Sequence, residues 1–70
     1  MQLAQVFGQN VRRVRREQGV TLEALAHDVG LAYTYVGQIE RGQRNPTLDV
    51  VERIAIVLKV NALDLLKASA

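Results

Sequence analysis

Apolar positions recur along this 70-residue chain at helical spacing, and no stretch shows the sustained alternation of a strand. Leu3, Phe7, Val11 and Val14 follow at intervals of four, four and three, one stripe at about 100° per residue. They predict a first helix from Leu3 to Gln18, with Gln5, Gln9, Arg12 and Arg16 on its outer side and Arg15 on its flank. Gly19 is its left-handed stop. Thr21 is a good N-cap, and Leu22, Leu25, Ala26 and Val29 predict a second helix to about Asp28, ended by Gly30. Only residues 29–31 separate it from a third helical pattern, Ala32–Arg41. So tight a link containing glycine forces the two helices to cross steeply, which makes residues 21–41 a helix-turn-helix. A loop, Gln43-Arg44-Asn45-Pro46, follows, and the residue before Pro46 is disfavoured in helix. Thr47 then caps a fourth helix reaching Lys59, and Asn61, with Asp64 three residues on, caps a short fifth from Ala62 to Lys67. Ala68, Ser69 and Ala70 are expected to fray. Repeats, linkers and low-complexity tracts are absent, so the expectation is one all-α domain over 1–70.

The third helix carries the candidate chemistry. Its projection puts Ala32, Val36 and Ile39 inward and Thr34, Gln38 and Arg41 outward, with Tyr33, Tyr35 and Gly37 at the edges. A face of small, amide and basic side chains suits the major groove: glutamine pairs with adenine, arginine with guanine, and a threonine methyl meets that of thymine. Thr34 and Gln38 are one turn apart and reach base edges on one approach. Two of the three aromatic residues, Tyr33 and Tyr35, lie in this helix. Each either hydrogen-bonds DNA or edges the core. Gly37 costs about 1 kcal/mol inside a helix relative to alanine, which fits either close approach of DNA or a tolerated surface glycine. The candidate base-contacting set is Tyr33, Thr34, Gly37, Gln38 and Arg41.

Charge sharpens the picture. The net charge is only +2, but residues 1–20 carry Arg12, Arg13, Arg15 and Arg16 against Glu17, while residues 21–40 carry Glu23, Asp28 and Glu40 with no Lys or Arg. Basic charge concentrates at Arg12–Arg16 and Arg41–Arg44. Arg44, Asn45, Thr47, Arg12 and Arg13 are therefore candidates for phosphate contact, aided by free amides at the start of the fourth helix. The plain alternative for Arg12 and Arg13 is a solvated helix face.

Composition excludes several classes. With 49% hydrophobic and 23% charged residues the chain reads as soluble and globular, near the lower size limit for a lone core. The absence of cysteine rules out disulfides and thiolate metal sites. No apolar run approaches the roughly 18 residues of a membrane span, and the first residues lack the pattern of a secretory signal, so the expected location is cytoplasmic. A single His27 on the polar side of the second helix, without a cluster around it, gives no catalytic constellation. No enzyme, metal or cofactor is expected.

The segment Gly19-Val-Thr-Leu-Glu-Ala-Leu-Ala, then Val29-Gly-Leu, then Tyr35-Val-Gly-Gln-Ile-Glu-Arg-Gly-Gln-Arg-Asn-Pro-Thr-Leu, resembles the phage-repressor-type (xenobiotic-response-element) helix-turn-helix family. Ile39-Glu-Arg-Gly followed by Arg44-Asn-Pro is its most specific part. Within that family the chain looks most like compact bacterial regulators, including controller proteins of restriction–modification systems. The resemblance covers residues 5–66 and implies a compact five-helix, lambda-repressor-like domain. It also implies a homodimer on palindromic half-sites of double-stranded DNA, recruitment or blocking of RNA polymerase, and a structural ion pair between Arg15 and Glu40. Two positions depart from the family pattern: Leu22 stands where many members have a phosphate-binding glutamine, and Ala32 where a Ser or Thr often caps the recognition helix.

On the fourth helix Leu48, Val51, Ile54, Ala55 and Leu58 suffice for the core. The surplus Val50, Ile56 and Val57, with Leu63 and Leu66, marks an expected dimer interface, or else a surface for a further C-terminal domain. A rival reading is a protein-interaction module of the same fold, an antitoxin or adaptor, with little sequence-specific DNA binding.

Overall fold

A computed structural model describes residues 2–68 and folds them as α1 (Leu3–Glu17), α2 (Leu22–Val29), α3 (Tyr33–Glu40), α4 (Leu48–Leu58) and α5 (Ala62–Leu65). No strand occurs among the described residues. Of the terminal residues expected to fray, Ser69 and Ala70 lie outside those described.

The helix ends follow local chemistry. Thr21 Oγ1 accepts from the Ala24 N–H at 3.1 Å, Thr47 Oγ1 from Val50 at 3.2 Å, and Asn61 Oδ1 from Leu63 at 2.9 Å. Such caps contribute about 1 kcal/mol each. Gly30 takes φ 81°, a left-handed turn that lets its N–H reach the Ala26 and His27 carbonyls and sends the chain steeply into α3. Ala32 leads α3 with no side-chain cap.

The apolar faces converge on one cluster, with Phe7 and Val11 from α1, Leu25 and Val29 from α2, Val36 and Ile39 from α3, Ile54 and Leu58 from α4, and Leu65 from α5. Burying one such side chain contributes roughly 1.5–3 kcal/mol. At eight residues, α3 is too short to be stable alone, so its conformation is a product of this packing.

Several inward assignments need correction, all near helix ends. Leu3 is 54% exposed and Leu48 81% exposed, because the first turns of α1 and α4 overhang the core and border an open groove with Pro46 and Leu66. Ala32 is exposed because the helix starts one residue later and Ala32 becomes its cap. Val50, expected at an interface, is only 8% exposed and belongs to the core. The fourth helix stops at Leu58, with Lys59 left-handed at φ 60°, and the fifth at Leu65 rather than Lys67.

Polar clamps join the helices. The buried Asn10 amide donates to the Leu65 carbonyl at 2.9 Å and the Lys67 carbonyl at 2.7 Å. Gln18 Nε2 donates to the Leu58 carbonyl at 2.6 Å, and the Arg53 guanidinium to the Val29 carbonyl. At the crossing of α1 and α3, Gly8 lets the two backbones approach so closely that a Cβ there would lie 2.8 Å from the Glu40 carbonyl oxygen, and nearer still to that of Ile39.

Candidate nucleic-acid interface

The fold divides α3 into two sides. Val36 and Ile39 have no accessible surface. Tyr33, Thr34 and Arg41 are exposed, and Gln38 is half-buried on the outer side. Thr34, Gln38 and Arg41 thus form the outer strip expected from the periodicity. Tyr33 lies towards α2, bordering a shallow depression with Glu23 and His27. Tyr35 is half-buried against the core. Gly37 differs from both expectations. It is buried beneath two side chains, a Cβ there meeting Arg41 Nη1 at 3.4 Å and Leu22 Cδ2 at 3.5 Å. It nonetheless lines an open hollow beside Arg41.

Orientation of this strip is set from α1. Arg15 Nε donates to Glu40 Oε2 at 2.7 Å, its Nη2 to Oε1 at 3.0 Å, and its Nη1 to the Val20 carbonyl at 3.0 Å. Only 11% of the Arg15 side chain and 5% of the Glu40 side chain remain exposed. The two-pronged geometry fixes angle as well as distance. The hydrogen bond to Glu40 holds the Arg15 pKa above its ordinary value, against an opposing contribution from burial. Both Glu40 oxygens are engaged by this contact, and Glu40 with Arg15 lines the hollow shared by Arg12 and Arg41.

The remaining cations sort by whether they have a carboxylate. Among the described residues Arg13 pairs with Glu17, Arg15 with Glu40, Arg53 with Asp49 and Lys67 with Asp64. Arg12, Arg16, Arg41, Arg44 and Lys59 have none. Arg12 and Arg41 border one open hollow of about 170 Å³ whose floor includes Leu22 and Gly37. Arg13, one step of about 100° from Arg12, lies instead near Asn10 on the side facing α5. Of the two arginines, only Arg12 borders the hollow beside α3. Asn45 is exposed but borders the Leu3–Leu48 groove, and the Thr47 hydroxyl is engaged as a cap while keeping its proton to donate.

One contact had no sequence signal. Arg44 Nε donates to Gln38 Oε1 at 2.9 Å, and the guanidinium lies over the Tyr35 ring, 5.7 Å from its centroid. The expected dimer residues fall in more than one place. Ile56 and Leu63 are 68% and 66% exposed, Ile56 and the half-buried Val57 border one depression with Asp28 and Arg53, and Leu66 borders the groove beside Leu3.

A helix-turn-helix family model matches residues 11–65. Control protein C.BamHI of Bacillus amyloliquefaciens is 44% identical over 62 residues, which are 87% of this chain and 76% of that protein. The restriction-modification controller protein C.AhdI from Aeromonas hydrophila has a crystal structure matching this one with a TM-score of 0.85 at 39% identity, over 89% of this chain and 94% of that chain. SinR, the master regulator for biofilm formation, solved in complex with DNA, matches with a TM-score of 0.82 at 35% identity, over 87% of this chain and 98% of that one.

Proposed function

The chain belongs to the phage-repressor-type (xenobiotic-response-element) helix-turn-helix family, and we propose that it regulates transcription by binding double-stranded DNA sequence-specifically, with α3 in the major groove. The observation that carries this reading is the two-sidedness of α3: Val36 and Ile39 wholly buried, Thr34 and Arg41 exposed, and Gln38 between them. Thr34, Gln38 and Arg41 supply the groups that distinguish base pairs in the major groove. Arg12, Arg41 and Arg44, free of carboxylates, supply the charge that attracts phosphates. The hollow between Arg12 and Arg41 sits at Leu22, where many family members carry a phosphate-binding glutamine, and these two cations take over that role.

The active species is a homodimer joined through Ile56 and Leu63, the exposed members of the surplus apolar set. Its two α3 helices lie about 34 Å apart, one turn of DNA, and read a palindrome. Bound at a promoter it blocks or recruits RNA polymerase, and it works in the bacterial cytoplasm.

Selection from a random duplex library, followed by mobility shift of selected and scrambled duplexes, tests this reading. Selected half-sites one helical turn apart, bound at least 10³-fold more tightly than scrambled DNA, are the expected outcome. Binding that ignores sequence and vanishes at moderate salt would overturn it. That result would favour the interaction-module reading, for which the exposed Leu3 and Leu48 beside an apolar groove are the specific observation.

A further inference from the structure

Arginine has five N–H donors and no acceptor. The atom of Gln38 that faces Arg44 Nε at 2.9 Å must therefore be the carbonyl oxygen, whichever way an amide might otherwise turn. Its –NH2 group then points away from Arg44 as the end left to meet a ligand. Arg44 is itself held, because its guanidinium lies over the ring of Tyr35 and that ring packs against the core. The Nη groups of Arg44 remain available to a phosphate, since no carboxylate pairs with Arg44 among the described residues.

We infer that Arg44 is a specificity-determining positioning residue, which turns the Gln38 amide oxygen towards itself and the N–H end outward, and so shifts Gln38 from an adenine reader to a reader of guanine. An unconstrained glutamine reads adenine with both ends of its amide: the oxygen accepts from N6 and the nitrogen donates to N7. With one lone pair of the oxygen taken by Arg44 and the guanidinium standing beside it, the amide turns its two N–H groups to the bases. Guanine presents two acceptors, O6 and N7, on one major-groove edge, and thymine presents one, O4. Adenine presents its N6 donor beside N7, and a donor facing a donor is left unpaired at the cost of its lost hydration. The order expected at the base pair facing Gln38 is guanine, then thymine, then adenine. Arg44 thereby joins two tasks, gripping the phosphate backbone and setting what an adjacent side chain can recognise. This inference rests on the proposal that Gln38 faces bases, and the test separates the two.

The probes are duplexes selected by the parent protein from a random library, each then varied to all four base pairs at every half-site position. Gln38→Ala first identifies the base pair that Gln38 reads, as the position whose preference flattens. At that position the parent should favour guanine over adenine by roughly 5- to 150-fold, the range for one good side-chain–base match. Arg44→Ala should abolish or reverse that preference there and leave the other positions ordered as before, while lowering the salt slope by about one for the lost phosphate contact. Arg12→Ala, which removes an equal charge on α1 without touching Gln38, should lower the salt slope and leave this base pair unaltered. Circular dichroism should be unchanged in both, because Arg12 and Arg44 are exposed. Adenine preferred by the parent at this position would overturn the inference while leaving α3 as the reading helix. So would Arg44→Ala retaining the parent's preference, or Arg12→Ala shifting it equally. If Gln38→Ala flattens no position, the assignment of the reading face falls, and this inference with it.

Discussion

Replacing Gly8 by alanine should destabilise the domain, although alanine is the better helix former by about 1 kcal/mol. The added methyl would lie 2.8 Å from the Glu40 carbonyl oxygen and 3.0 Å from its carbon, with the Ile39 oxygen closer still. Even close C–H···O contacts keep carbon and oxygen about 3.3 Å apart. Because the obstacle is backbone at the end of α3, no side chain can rotate away, and α1 and α3 must part by about 0.5–1 Å. A gap of that size forfeits roughly a quarter to a half of each dispersion contact across it. Phe7, Val11, Val36 and Ile39 all pack at or beside this crossing.

Overpacking of this kind costs about 1–3 kcal/mol, and the backbone obstacle here puts it at the top of that range. After the gain of about 1 kcal/mol in helix propensity we expect a net loss of about 2 kcal/mol, out of a total near 3.5–10 kcal/mol for a chain of this length. The midpoint of thermal unfolding should fall by about 8–16 °C. Urea titration followed by far-ultraviolet circular dichroism, at fixed protein concentration because the proposed dimer would shift apparent stability, measures it. Gly37→Ala is the matched control. Its methyl would meet only Arg41 Nη1 and Leu22 Cδ2, at 3.4 and 3.5 Å, ends of flexible side chains, so this variant should gain about 0.5–1 kcal/mol. Opposite signs at two helical glycines are the signature. A Gly8→Ala protein as stable as the parent would refute this account of the crossing.

Arg15→Met or Glu40→Leu alone should cost about 3–5 kcal/mol, each stranding a nearly buried charge, and the double variant much less than their sum, as a double-mutant cycle in urea would measure. Glu40 raises the Arg15 pKa, so the stability linked to Arg15 is fully present below the ordinary arginine range and is lost only as pH climbs above it. Unfolding curves should therefore show no loss attributable to Arg15 across neutral and mildly alkaline pH. Leu22→Gln should tighten binding to all duplexes about five-fold, near 1 kcal/mol for one hydrogen bond, with the salt slope unchanged because glutamine is uncharged; titration at several salt concentrations reads both. Ile56→Glu and Leu63→Glu should give a folded monomer by sedimentation, whereas Val50→Glu should unfold the chain, because Val50 is a core residue.

Helix number, order and caps were legible because periodicity and capping are local properties: Thr21, Thr47 and Asn61 all accept the amide hydrogen bonds their chemistry suits. Misplacements occurred where a helix outruns its neighbours. Leu3 and Leu48 have the right phase for burial, but no described residue covers them in the first turns of α1 and α4. Arg12 and Arg13 are adjacent in sequence and diverge in space, since which side of α1 meets α3 depends on the Gly8 crossing. That glycine, central in an otherwise strongly helical stretch, was the available signal. The Asn10 clamp on the end of α5 and the Arg44–Gln38 contact join residues by tertiary geometry alone, and no spacing announces them.

The proposed reading helix, α3, is short, uncapped at Ala32 and interrupted by a glycine, so little about it favours rigidity from within. Three external devices supply it: the left-handed turn at Gly30, the close backbone approach at Gly8, and the two-pronged hold of Arg15 on Glu40. The first two are steric and add to stability. The third is different, because a nearly buried ion pair contributes little net stability over a well-packed apolar pair. What it adds is direction, since a bidentate pair tolerates little rotation of α3 about its own axis. Side chains that must meet base edges within about 0.5 Å lose discrimination when their support loosens. Replacing both partners with the apolar pair Arg15→Met/Glu40→Leu should consequently leave melting almost unchanged while narrowing the gap between selected and scrambled DNA.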